Sequence, residues 1–246
     1  MNESINGINP SIESINKVLV VVAHPDDIDF GCAGTVAWLT EAGKEVSYCL
    51  ITSGDAGGDN DGLSNVQRID IRELEQNKAK KIVGVDKIHF LKQKDGMIES
   101  TLDLREKITR IIRKEKPDLV ITQSPKRRYD RIYASHPDHL ATGEATFCAV
   151  YPDSRNPNAF GHLLDENCMP HLVPNIWVMA DENPDTFIDI TVLIDKKLDA
   201  LFEHKSQIQD HAKVTIMIKE WTGDMASLAG MEKGKYCEGF RFVNTQ

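Results

Sequence analysis

The sequence predicts an α/β domain built on a mostly parallel, Rossmann-like sheet, with helices on both faces and an irregular C-terminal lobe. Three observations lead there. Lys17 to Ala23 is an unbroken, valine-rich apolar run, as a strand buried on both faces requires. Strand-like and helix-like segments then alternate at short spacing as far as Gln123, the pattern of βαβ units with right-handed crossovers. The chain has 246 residues, 41% of them hydrophobic and 27% charged, enough for one well-buried core without demanding two.

The elements follow in order. Residues 1–16 are a polar lead-in, and 17–246 are read as a single domain. After the first strand, Gly31 to Ala42 reads as a helix stopped by Gly43. Val46 to Ile51 is a second buried strand, followed by a Gly/Asp-rich loop from Ser53 to Gly62. Val66 to Val83 has helical spacing with i, i+4 charge pairs and ends at Gly84. Lys87 to Leu91 is a short strand, Leu102 to Lys114 an amphipathic helix, and Asp118 to Gln123 a fourth strand. Beyond it the pattern loosens. Pro137 to Val150 reads as a helix, Asn156 to Pro174 as a Pro/Asn-rich loop region, Ile176 to Met179 as a strand and Lys196 to His211 as a helix.

Composition excludes several function classes. The net charge of -9 and the lack of a long basic block leave no positive footprint for nucleic acid or an anionic membrane. The short Lys126-Arg127-Arg128 run reads as a solvated loop. Met1 to Asn16 lacks the basic start and apolar core of a signal peptide, and no stretch approaches the ~20 apolar residues of a membrane span. Five cysteines with no C-x-x-C pair argue against a disulfide framework or a thiolate zinc site. A cytoplasmic protein is expected; the sequence leaves homo-oligomerisation open.

The chemistry-bearing residues fall in two clusters. In open α/β sheets, ligands bind beyond the carboxyl ends of the strands. There, after the first strand, stands His24-Pro25-Asp26-Asp27-Ile28-Asp29. Three carboxylates would repel a pyrophosphate, and Gly31 and Gly34 lack the spacing of a phosphate cradle, so the segment suits a cation. The second cluster is Ser135-His136-Pro137-Asp138-His139. Proline at a first helical position puts His136 at the cap, and His139, three residues on, shares its face. Lone Asp and His residues at such junctions commonly cap helices. Two clusters, each with a proline and each at a strand-to-helix junction, favour a metal site instead. Two imidazoles, one carboxylate and a neighbouring carboxylate supply a catalytic zinc site and a general base.

At these residues the sequence resembles the LmbE/PIG-L zinc N-deacetylases, which act on N-acetylglucosamine-containing molecules. The resemblance begins with Ala-His-Pro-Asp-Asp at 23–27 and the helix with Gly31 and Gly34-Thr35. It continues through Thr52-x-Gly54, Arg72-x-x-Glu75, Asp95-Gly96 and His136-Pro137-Asp138-His139 to His204-Lys205-Ser206-Gln207 and Glu238-x-Phe240. It implies that His24, Asp27 and His139 hold Zn2+, or another divalent metal such as Fe2+, and that Asp26 is the general base. It makes His136 the group that stabilises the oxyanion, and gives Asp138 an orienting role behind a histidine. Arg72 and Asp95 match positions that contact the sugar in some members. One position departs from the family pattern: Asp29 stands where Glu is usual, a carboxylate one methylene shorter near the metal ligands, which predicts retuned geometry with activity kept.

Other features have plainer readings. Arg72 lies in a charged helix, Asp95-Gly96 is an ordinary turn, and His204 and Ser206 cap or pack the C-terminal helix. Trp221 lies in a loop-like stretch that could line a pocket. The expected function is therefore metal-dependent removal of an N-acetyl group from an amino-sugar small molecule. The alternatives are an amidohydrolase acting on N-acyl peptides or amino acids, and a metal phosphoesterase. A non-haem iron oxygenase fits the ligand types but not the parallel α/β scaffold. A vestigial binding protein fits poorly with intact Asp26 and His136.

Overall fold

The structure is a computed structural model that describes residues 7–58 and 62–246. Parts of the lead-in and of the 53–62 loop therefore lie outside the described residues. The strands are β1 (Gly7–Ile8), β2 (Lys17–Val22), β3 (Glu45–Thr52), β4 (Lys87–Gln93), β5 (Leu119–Gln123), β6 (Asn175–Met179), β7 (Thr186–Asp189) and β8 (Cys237–Asn244). The helices are α1 (Asp27–Gly31), α2 (Ala33–Glu41), α3 (Asn65–Ile82), α4 (Leu102–Glu115), α5 (Pro137–Cys148), α6 (Ile194–Leu201) and α7 (His211–Leu228). Among the described residues the strands form one sheet in the order β1-β7-β8-β6-β5-β2-β3-β4.

The period-2 geometry of a strand sends alternate side chains to opposite faces, and both faces of this sheet are covered. Val18, Val20 and Val22 of β2 and Tyr48 and Leu50 of β3 join one core, with Val36, Ala79, Leu198 and Ile218 from α2, α3, α6 and α7. Leu19, Val21, Ala23, Cys49 and Ile51 join the other, beneath Leu104, Ile108 and Ile112 of α4 and Ala145 of α5. This explains the continuous apolar run in the sequence, which had no polar face to alternate with.

From β4 to β6 the strands are parallel, as expected. The chain runs outward from β2 through β3 to β4, then crosses back to place β5 on the other side of β2. The carboxyl ends of β2 and β5 thus form the topological switch point, the place where open α/β sheets bind ligands.

The second half is more regular than the sequence suggested. β8 runs antiparallel between β6 and β7, and Gly7–Ile8 pairs with β7. The helix expected over 196–211 is two helices: α6 ends at Leu201, and α7 starts afresh where the Asp210 side chain accepts from Lys213 N at 2.9 Å. Trp221, expected in a loop, lies within α7. The helix expected from Gly31 also divides. α1 starts at Asp27, and Cys32, at φ -149, breaks it from α2.

A buried ion pair ties the late elements to α1 and α2. Lys197 of α6, fully buried, donates to Glu238 Oε1 at 2.7 Å and to the carbonyls of Asp29 and Phe30 at 2.9 and 2.8 Å. Glu238 of β8 in turn accepts from Gly34 N and Thr35 N in the first turn of α2. Removing one partner of a buried pair leaves an uncompensated charge, which costs about 3–5 kcal/mol. Lys197→Met should lose stability on that scale in chemical denaturation. A loss below ~1 kcal/mol, the level of an exposed pair, would remove the network from the account of stability.

Candidate active site

Both sequence clusters meet at the switch point. β2 delivers His24 one residue beyond Ala23, whose N–H donates to Gln123 Oε1 at the end of β5 at 3.0 Å. α5 packs closely on the same end of β5. A Cβ at Gly143 would stand 2.4 Å from the Gln123 carbonyl oxygen, so only glycine lets the helix carrying His139 come this near. The result is a triangle of imidazoles, with ring centroids of His24, His136 and His139 between 5.1 and 5.4 Å apart.

Asp27 bridges two of them. Its Oδ2 is 3.3 Å from His24 Nδ1 and its Oδ1 is 3.0 Å from His139 Nε2. The other nitrogen of His24, Nε2, lies 3.2 Å from Asp138 Oδ2 and 3.1 Å from Asp95 Oδ1. Asp138 is fixed by Gly96 N at 2.7 Å and Ile98 N at 3.2 Å. A carboxylate on one nitrogen of an imidazole sets the tautomer and leaves the other nitrogen to a metal. Asp138 stands where an orienting partner of His24 would stand.

The electrostatics fit a cation. Burial alone would lower the His24 pKa, but the carboxylates of Asp27, Asp138 and Asp95 outweigh it and raise it to about 12. Burial would raise Asp27, yet His139 and His24 hold it well below the usual carboxylate range. Three carboxylates around one buried imidazole form a pocket of excess negative charge. Ligand atoms of His24, His136 and His139 lie within 4.8 Å of one another, as do those of His24, Asp95 and Asp138. Asp27 belongs to neither group; its two oxygens each touch one imidazole, so His24, His139 and Asp27 offer the residue types, two imidazoles and a carboxylate, of a catalytic zinc site. Asp95 and Asp138 are already occupied in holding His24 and the 95–98 turn.

Asp26 stands apart from the candidate ligands. Its backbone is left-handed at φ 87, a conformation that costs a non-glycine residue of order 1–3 kcal/mol. Two side chains of α3 hold it there: Gln76 Oε1 accepts Asp26 N–H at 2.9 Å, and Arg72 Nη2 donates to Asp26 Oδ2 at 3.0 Å. Burial pushes the Asp26 carboxyl up to about 6, and Arg72 opposes that rise. His136 presents its Nδ1 to Asp138 N–H at 3.1 Å, so in the neutral ring the proton sits on Nε2. Burial and the neighbouring His24 lower its pKa, which favours that neutral form.

Three expectations for the site residues need correction. Arg72 was expected to contact substrate, but it is 3% exposed, and its guanidinium also donates to Pro25 O at 2.7 Å and Gly54 O at 3.2 Å. It lies under the site and braces Asp26. Gly54 is required there, since a Cβ would stand 2.3 Å from Arg72 Nη1. Asp29 was expected beside the metal ligands; two residues beyond Asp27 it points the other way, and its Oδ2 accepts from Gln76 at 2.9 Å and His204 at 2.8 Å. It supports Asp26 through Gln76. Asp95, expected to meet the sugar, is also largely engaged, with Oδ1 on His24 and Oδ2 on Ala56 N at 3.2 Å. His204 and Ser206, expected to cap or pack the C-terminal helix, lie instead between α6 and α7: His204 meets Asp29, and Ser206 bonds Glu75 of α3 through both N and Oγ.

Gln76 was missed by sequence reasoning. The signal existed: Arg72, Glu75, Gln76 and Ala79 share one helical face, and all four are buried. Gln76→Leu keeps the volume but frees the strained Asp26 backbone. It should lower kcat roughly 10–100-fold, on the scale of a small misplacement of a reacting group, with KM and metal content unchanged. Steady-state kinetics with metal analysis decides it; an unaltered kcat would show that Asp26 holds its conformation unaided.

Fold and site together define a class: an open α/β sheet with a histidine–carboxylate centre at its switch point. The chain belongs to the family described as PIG-L: GlcNAc-PI de-N-acetylase, which matches residues 19–150. It is 32% identical to diacetylchitobiose deacetylase from Thermococcus kodakarensis, over 96% of this chain and 86% of that one. It is 29% identical to a probable N-acetyl-alpha-D-glucosaminyl L-malate deacetylase 2 from Bacillus anthracis, over 83% of this chain and 86% of that one. Among solved structures, N,N'-diacetylchitobiose deacetylase from Pyrococcus horikoshii superposes with a TM-score of 0.87 at 31% identity, covering 95% of this chain and 85% of that one.

Proposed function

We propose that the protein is a metal-dependent N-deacetylase of N-acetylglucosamine-containing small molecules, with zinc held by His24, Asp27 and His139. The observation that carries this is the Asp27 carboxylate bridging His24 and His139, beside a separately held carboxylate, Asp26, and a neutral imidazole, His136. The bound ion supplies an acidified water and a Lewis acid for the acyl oxygen. Asp26 takes the proton of the attacking water at its carboxylate, which Arg72 helps keep ionised. His136 donates from Nε2 to the acyl oxygen as negative charge develops there. Asp26 then returns the proton to the leaving nitrogen. Asp138 holds His24, and Gln76 holds Asp26, so neither reorganises during the reaction.

The names of the relatives support the substrate class, since each includes an N-acetylated sugar or a deacetylase of one. No helix of the described residues is long and apolar enough to cross a membrane, and a small polar substrate suits a cytoplasmic enzyme. The metal-loaded protein should release acetate from N-acetylglucosamine derivatives. Cleavage of N-acyl peptides or amino acids alone would move the substrate class and keep the amidohydrolase. Phosphate release with no amide cleavage would replace the reading outright.

A further inference from the structure

Behind Asp26 runs a line of buried polar groups that ends in the turn between α6 and α7. His204 and Asp29 are both fully buried, with His204 Nε2 at 2.8 Å from Asp29 Oδ2. The same oxygen accepts from Gln76 Nε2 at 2.9 Å, and Gln76 Oε1 accepts the Asp26 N–H at 2.9 Å. Asp29 Oδ1 has no hydrogen-bond partner among the described residues. The orientation of this carboxylate therefore rests on one oxygen and two donors, His204 and Gln76. Ser206, two residues on, holds Glu75 through N at 2.8 Å and Oγ at 2.6 Å, so the turn grips α3 a second time, beside Gln76.

The polarity of the line gives it a direction. A carboxylate only accepts, whereas a carboxamide has one donating and one accepting end. Asp29 thus draws the NH2 end of Gln76 and turns its oxygen toward the Asp26 N–H. The reversed amide would set two donors against each other, and a buried donor left unpaired is costly. Burial would lower the His204 pKa, but the hydrogen bond to Asp29 and the charges of Asp29, Asp26 and Glu75 raise it. We infer that His204 is a positioning residue for Asp26: it fixes the Asp29 carboxylate, which fixes the Gln76 amide, which holds the left-handed Asp26 backbone. This role rests on Asp26 being the base of the deacetylase, and it extends the support of that base to the turn between α6 and α7.

The test compares His204→Leu, which deletes the bond to Asp29, with His204→Gln, whose amide can still donate to it. At saturating metal, His204→Leu should lower kcat about 10–100-fold, the scale of a small misplacement of a reacting group, with KM nearly unchanged. His204→Gln should recover most of that loss, and both variants should bind Zn2+ as tightly as the wild type. Added to Gln76→Leu, His204→Leu should cost little more, because both changes break one line. Hydrogen exchange of a peptide spanning 22–32 reads the Asp26 N–H without any turnover. It should exchange at least about tenfold faster in His204→Leu and at the wild-type rate in His204→Gln. Ser206→Ala, which loosens the other grip of the turn on α3, should change neither kcat nor this exchange. If His204→Leu does not fold, because Asp29 is left unpaired, His204→Leu with Asp29→Asn removes that charge and should show the same loss and the same faster exchange. Equal losses in His204→Leu and Ser206→Ala, or losses that multiply with Gln76→Leu, make the turn a structural prop and overturn the inference. If the wild type hydrolyses no N-acetyl amide, the reading of Asp26 as a base fails, and hydrogen exchange alone then decides whether His204 holds its backbone.

Discussion

Asp26→Asn should bind its metal normally and lose about 10²–10⁴-fold in turnover, the usual cost of removing a general base. The expectation follows from where Asp26 sits. Its carboxylate contacts Arg72, whereas Asp27, the next residue, contacts both His24 and His139. Asparagine keeps the shape and accepts from Arg72 but cannot take a proton. In the wild type the acid limb of the rate should report the Asp26 carboxyl, which burial raises to about 6. Activity is present while the group is ionised and is lost as pH falls through that value. Arg72→Met removes the cation that opposes the rise, so its acid limb should move to higher pH. An Asp26→Asn enzyme with near-normal turnover would end the assignment, whatever its pH profile.

His139→Ala should lose both metal and activity, because it deletes one of three donors. Asp138→Asn provides the scale. Residues that orient a metal ligand typically cost about 10–100-fold in affinity or activity when changed, so a direct ligand should cost more. Titrating metal into apo protein and measuring turnover at saturating metal separates the two. If His139→Ala binds metal as tightly as the wild type, the histidine is not a ligand, and the triangle formed with His136 must be assigned anew.

The first half of the fold was legible because its central strands are buried on both faces, which leaves short continuous apolar runs rich in β-branched residues. The two His-Pro-Asp clusters were legible for a different reason: the strand and the helix that bear them are regular, so both could be placed at one end of the sheet. β7 and β8 escaped because they pair near an edge, where Thr186, Asp189, Glu238 and Arg241 interrupt any apolar pattern. The break between α6 and α7 escaped because 202–210 carries neither proline nor glycine. Within the site, ligand chemistry could be read from residue types, but direction could not. Arg72 and Asp29 are the right kinds of residue to meet a substrate and to stand behind a metal ligand, and only the turn of α3 and of α1 decides that they face Asp26 and His204. Gln76 has no chemistry of its own to advertise; it matters through the backbone it holds.

The place of β8 has a consequence for synthesis on the ribosome. Chains emerge from the N-terminus at roughly 5–20 residues per second, and early segments start to fold before later ones exist. Here β2 to β6 can pair as they appear, but β7 and its partner β1 join the sheet only through β8. A nascent chain that has reached residue 236 therefore carries an unsatisfied strand edge on β6 and a detached β1–β7 ribbon, both of the kind that invites aggregation. The same late strand brings Glu238 to Lys197 and to the first turn of α2. Closure of the sheet and locking of the helices next to the candidate metal ligands are thus one terminal event, and a translation intermediate should be both inactive and dependent on holdase chaperones until it occurs.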